Sequence, residues 1–280
     1  MRRFLAAAAL CLTFGAVSAA QAADPPGQAS QLVVKKVKVG EIPALVVSPP
    51  DTKGRHLILW YPGFSGTKEG TEGQLRQLAA RGFVAMSPEV YQHGERRIEP
   101  QAKLPLRVRG NIRRYFWPIL AKTAEETTPM IDWAIKELGV SPEVGIGGTS
   151  MGGDLSVAAA GVDKRIKVVS AIVATPDWMR PGSWEPPGEP DSVAQAWYDK
   201  RNPLTHLDSY RHRPYIAFQS GAVDIQVPPD GGERFNAALK QSIYKGYEDR
   251  LVVNLIPGIG HGFHPMMMTN SIAWFEAHLK

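Results

Sequence analysis

Leu57-Ile58-Leu59-Trp60-Tyr61 is apolar at every position, where a strand with one wet face would alternate. Such a run reads as a strand buried on both faces, and strands of that kind belong to parallel sheets covered by helices on either side. The rest of the 280-residue chain agrees. Strand-like segments at 83–86, 143–147, 166–173, 215–219 and 251–256 alternate with helical spacing at 72–81, 123–138, 231–241 and 271–279, and another helix opens near Ser150 and continues to Ala160. Segments 32–39 and 42–47 are two strands with no helix between them. The expected fold class is α/β, a mainly parallel sheet with an antiparallel N-terminal edge and helices on both faces.

Two stretches resist this pattern. Pro88, Pro100, Pro105 and Pro118 interrupt 87–122, which predicts irregular structure or short helical turns. Segment 175–205 holds six of the 23 prolines and three of the seven tryptophans, Trp178, Trp184 and Trp197, and reads as an insertion rather than a sheet element. No internal repeat is visible.

At the N-terminus, Arg2 and Arg3 precede a short apolar run, and Ala20-Gln21-Ala22 satisfies the small-x-small rule for signal cleavage. The expectation is a cleaved leader at 1–22, a single domain at 23–280, and a periplasmic or secreted protein. Cys11, the lone cysteine, falls inside the leader, so the mature protein has no thiol chemistry or disulfide. Beyond the leader no apolar run reaches about 18 residues, which argues against stable membrane insertion. Cleavage leaves 30 basic against 27 acidic residues, a net charge of +3, too little to point to nucleic acid. Basic residues do gather from Arg96 to Arg114, diluted by Glu95 and Glu99. A solvated surface explains them first; contact with an anionic envelope surface or an acidic substrate explains them second.

In an open α/β sheet the chemistry lies beyond the carboxyl ends of the strands. Gly148-Thr149-Ser150-Met151-Gly152 stands there, a G-x-S-x-G between a strand and a helix, the setting of a nucleophile elbow. A Gly/Ser helix cap is the plainer alternative. A serine hydroxyl needs a base to attack an ester. His261, in Gly260-His261-Gly262-Phe263 after the last strand, is the candidate, ahead of His264. A carboxylate should hold the imidazole in one tautomer. Asp224, after the strand at 215–219, leads, with Asp177 as the alternative acid. Donors for an oxyanion would be the backbone N–H of Met151 and that of Phe64, in the loop Pro62-Gly63-Phe64-Ser65-Gly66. No His, Cys or carboxylate spacing suggests a metal, and no cofactor is called for.

With these motifs in view, the chain resembles an α/β-hydrolase over about residues 40 to 280, and is similar to the dienelactone-hydrolase-like and acetyl-xylan-esterase-like branch of serine esterases. Tyr91-Gln92-His93-Gly94-Glu95-Arg96 resembles the H-G-x-R loop of such esterases. Two departures stand out: Pro62-Gly63 occupies the place where many relatives have His-Gly, and Ser150 that of the Cys nucleophile of true dienelactone hydrolases. The resemblance implies hydrolysis of carboxylic esters, small or polymeric, through an acyl-enzyme on Ser150. It also suggests that Trp178 and Trp184 wall the cleft; packing of a small satellite core is the alternative. The rival readings are a serine peptidase of the prolyl-oligopeptidase type and a non-catalytic binding protein on a hydrolase scaffold.

Overall fold

The computed structural model describes residues 31–279, so the expected leader, with Cys11, lies outside the described residues. Eight strands, β1 (Val33–Val39), β2 (Ile42–Ser48), β3 (Leu57–Tyr61), β4 (Val84–Pro88), β5 (Val144–Thr149), β6 (Ile166–Ile172), β7 (Tyr215–Gly221) and β8 (Leu251–Ile256), form one sheet. Their order is β1-β2-β4-β3-β5-β6-β7-β8. β1 pairs with β2 and β2 with β4 antiparallel, while every other pairing is parallel.

The unbroken apolar run of β3 is explained by its two neighbours above and below. Leu57, Leu59 and Tyr61 face one core, packed by α3 (Ile112–Leu138), α4 (Met151–Ala160) and α6 (Asp230–Lys240). Ile58 and Trp60 face a second core, packed by α1 (Glu72–Ala80) and α7 (Pro265–His278). At about 1.5–3 kcal/mol for each large apolar side chain, two-sided burial is what holds such a strand at the centre of the sheet.

Segment 87–122 departs from expectation. After a short 3₁₀ turn it forms α2 (Lys103–Gly110), and α3 then starts at Ile112, eleven residues before the anticipated boundary, and runs through Pro118 and Pro129. An internal proline costs a helix about 3 kcal/mol. Here Ile112, Phe116, Trp117, Ile119 and Leu120 are all buried on one side of the early turns, which outweighs that cost. Asn111 caps the start by accepting from the Arg114 N–H at 3.0 Å. Segment 175–205 contains no strand but does contain a helix, α5 (Ser192–Arg201), capped by Asp191 accepting from the Ala194 N–H at 2.8 Å.

Register sets the site. Tyr61 is level with Gly148, Thr149 with Ile172, and Gly221 with Ile256. The loops that leave β3, β5, β7 and β8 therefore emerge side by side at one edge.

Candidate active site

Ser150 lies between β5 and α4 with φ 54° and ψ −118°, a backbone conformation that costs a non-glycine residue of order 1–3 kcal/mol. The turn is held from both sides. Ser150 N–H donates to the Ile172 carbonyl at 2.7 Å, and its own carbonyl accepts from the Gly153 and Asp154 N–H groups at 2.8 and 3.0 Å. The flanking glycines are steric requirements. A Cβ on Gly148 would come within 2.5 Å of the Tyr61 carbonyl oxygen, and one on Gly152 would collide with the same oxygen. The end of β3 thus lies directly against the elbow.

Although Ser150 stands at the N-cap of α4, its side chain makes no capping bond. Its Oγ instead lies 2.9 Å from His261 Nε2. On the far side of the ring, His261 Nδ1 lies 2.8 Å from Asp224 Oδ2. A carboxylate can only accept, so Nδ1 carries the proton and Nε2 is left free to accept from the serine hydroxyl. The Asp224 carboxylate is buried, and its other oxygen accepts from the Gln226 and Val227 N–H groups, both at 2.9 Å. Val223 N–H donates to the Ile259 carbonyl at 3.0 Å, which ties the Asp224 loop to the loop bearing His261.

The alternatives are placed elsewhere. Asp177 accepts from the Met179 N–H and pairs with Arg234 at 2.7 Å. His264 caps α7, accepting from the Met266 N–H at 3.2 Å.

Met151 is the first residue of α4, so its N–H has no carbonyl partner four residues back within that helix. Phe64 follows β3 and shares with Ser150 the lining of one open cavity. The Phe64 loop is braced from behind. Its ring meets His93 and Phe116 edge-on, at 5.5 and 5.6 Å between centroids. Further along the loop, buried Lys68 pairs with buried Glu89 at 2.9 Å and with Glu95. Burial alone would lower the Lys68 pKa; contacts with Glu95, Glu89 and Glu69 outweigh it and hold the ammonium above its usual value. Arg96 completes the brace with two 2.6 Å bonds to Glu126. The segment resembling an H-G-x-R loop is therefore a buttress for the loop that carries Phe64.

The aromatic pair expected at the cleft wall does not line this cavity. Trp178 is 2% exposed and packs inward, where Trp117 Nε1 donates to its carbonyl at 3.0 Å. Trp178 borders an adjoining cavity instead, and Trp184 is 60% exposed at the surface. The apolar wall beside Ser150 is made by Phe64, Val108, Ile112 and Phe116. The last three come from the segment whose prolines concealed its helices, though the spacing of Ile112, Phe116 and Leu120 carries the signal.

A polar wall also went unread. Arg180 lines the cavity, bonded to Asp154 at 2.5 Å and to Glu185 at 3.2 Å. Glu185 in turn accepts from Gln226 Nε2 at 3.1 Å. Asp154 is wholly buried in the first turn of α4, and burial raises its pKa against the opposing pull of Arg180 and the Thr175 N–H. The carboxylate four residues after Ser150 was the available clue. Among the described residues, no group of three His, Cys, Asp or Glu side chains is placed to hold a metal ion.

The chain is similar to the Bacillus subtilis protein "Putative esterase YitV", 24% identical over 261 residues that cover 88% of this chain and 99% of the relative. Its fold matches that of TT1662 from Thermus thermophilus with a TM-score of 0.70 and 22% identity, over 88% of this chain and 98% of the other. It also matches a Klebsiella pneumoniae structure named "Putative Dienelactone Hydrolase", with a TM-score of 0.64 and 17% identity, over 88% and 98% of the two chains. The fold is that of the α/β-hydrolases. Residues 121–280, more than half of the sequence and the part that carries Ser150, Asp224 and His261, match one family throughout, and the chain belongs to the prolyl oligopeptidase family.

Proposed function

We propose that the protein is an exported serine hydrolase that cleaves carboxylic esters. The observation that carries the reading is the chain of two short hydrogen bonds from Ser150 Oγ through His261 to buried Asp224. In the reaction, Ser150 Oγ attacks the ester carbonyl carbon while its proton passes to His261 Nε2. Asp224 stabilises the imidazolium, and the Met151 and Phe64 N–H groups hold the tetrahedral oxyanion. Collapse expels the alcohol, which takes the proton from His261 and leaves an acyl-enzyme. Water, deprotonated by His261, then releases the acid and restores Ser150.

The esterase name of the relative matched over almost its whole length supports ester chemistry, and the apolar wall of Phe64, Val108, Ile112 and Phe116 suits an acyl or aryl group. The family match favours one alternative, cleavage of prolyl peptides. Export rests on Arg2, Arg3 and Ala20-Gln21-Ala22. Initial rates on nitrophenyl acetate and on a prolyl peptide anilide separate the two chemistries. The proposal expects the ester to turn over and the anilide to be spared. The reverse selectivity would make the protein a peptidase, and turnover of neither would leave a binding scaffold. An N-terminus at residue 23 in the periplasmic or secreted fraction supports export, and retention of Met1 in the cytoplasm contradicts it.

A further inference from the structure

Exposed apolar side chains are unevenly distributed over this molecule. Of twelve large apolar residues exposed among those described, ten lie in the segments that follow β4, β6, β7 and β8. Ile98 and Leu106 follow β4, Met179 and Trp184 follow β6, Ile225 follows β7 and Phe263 follows β8. Connections after β4, β6, β7 and β8 start at the sheet edge where Ser150 opens, and these six residues lie in them. Trp184 N–H donates to the Ile225 carbonyl at 3.2 Å, so two of these loops are joined at the rim. Ile98, Leu106 and Ile225 are 70%, 71% and 68% exposed, which leaves most of each side chain in water. Clustered exposure of this kind marks an interaction surface.

The charges beside it indicate the occupant. On α2, Lys103, Leu106 and Arg109 recur every three residues along the outward side, while Leu104 and Val108 are buried on the other. Arg97, next to Ile98, is exposed as well. Among the described residues, Arg97, Lys103 and Arg109 have no carboxylate partner, whereas Arg107 and Arg114 are paired with Glu99 and Asp191. Unpaired cations alternating with exposed aliphatic side chains match a surface that is anionic outside and apolar beneath. A second copy of this chain fits less well, because a twofold contact would bring like cations together.

We propose that the rim built from the Ile98–Leu106 segment and the Trp184, Ile225 and Phe263 loops docks on an anionic lipid bilayer, with the Ser150 cavity facing the membrane. The docking is peripheral; none of these segments is long enough to span. It does not depend on the catalytic reading, since binding is measured without turnover.

The test is co-sedimentation of the full chain with phosphatidylcholine vesicles, with and without about one-third phosphatidylglycerol. Binding is expected with the anionic vesicles and should weaken as salt is raised. Arg97→Gln and Lys103→Gln should each weaken it about fivefold. Ile98→Asn with Leu106→Asn should weaken it about tenfold or more, with turnover of a soluble ester unchanged. Three results overturn the proposal. One is failure of the wild type to bind anionic vesicles, and another is binding that none of these substitutions alters. The third is a dimer in light scattering that the same substitutions dissolve, which would assign the rim to a second copy of the chain.

Discussion

Asp224 divides its two carboxylate oxygens between different tasks: Oδ2 faces His261 Nδ1 at 2.8 Å, and Oδ1 is pinned by two backbone N–H groups at 2.9 Å. The backbone fixes the direction in which the carboxylate points, and the carboxylate fixes the imidazole. Asp224→Asn should keep the fold but present an amide N–H to Nδ1, favouring the wrong tautomer. We expect kcat to fall about 10⁴-fold. Asp177→Asn weakens a pair with Arg234 and should leave kcat within a few-fold of wild type. Steady-state kinetics on one ester decides between the two acids.

The contact between Gly152 and the Tyr61 carbonyl supplies a second expectation. Gly152→Ala forces apart the elbow and the end of β3, the two elements that carry Met151 and the Phe64 loop. A displacement near 1 Å in such a site costs about 10² in rate. Circular dichroism and kcat measured together should show a folded protein with kcat reduced on that order. Unchanged kcat would mean that the elbow tolerates the shift.

Much of this architecture was legible in the residues themselves. The two-faced apolar run of β3 announced the parallel sheet, and the glycines around Ser150 announced the turn. The order Ser150, Asp224, His261 needed no distances because each follows a strand in a parallel sheet, where chain order implies a shared edge. Two features were hidden. Pro118 was read as a breaker because local preference carries no record of the tertiary burial of Ile112, Phe116, Trp117, Ile119 and Leu120 that overrides it in α3. Composition left Trp178 open between cleft wall and packing residue, because it does not tell the two apart; it borders an adjoining cavity, and the aromatic wall beside Ser150 comes from Phe64 and Phe116.

Arg180 and Asp154 form a buried pair beneath the cavity, with Asp154 inaccessible to solvent. Arg180→Met should destabilise the protein by about 3 kcal/mol, because a buried carboxylate then loses its countercharge. Arg180→Met with Asp154→Leu removes both charges and should recover most of the loss. Urea unfolding of the three proteins checks this, and additive losses in the double variant would refute it.

His93 and His212 are both held below the usual imidazole pKa, chiefly by burial. Their folded forms therefore remain neutral at a pH where the unfolded chain takes up protons. Stability contributed by neutrality is present above about pH 6.5 and is lost as pH falls below it, through the depressed folded value. His93→Asn should reduce the slope of unfolding free energy against pH in that window by up to about 1.4 kcal/mol per pH unit. Denaturant titrations across pH 5 to 7.5, a range set about the ordinary imidazole value, read it directly.

The central claim is that Ser150 Oγ is a nucleophile made reactive by His261. Labelling with a fluorophosphonate, followed by mapping of the adduct by mass spectrometry, interrogates that oxygen itself. The account predicts one phosphonyl group per chain, carried on Ser150, absent in Ser150→Ala and slowed by about 10³ or more in His261→Ala. A reactive residue elsewhere, or labelling of Ser150 at an undiminished rate without His261, would contradict it.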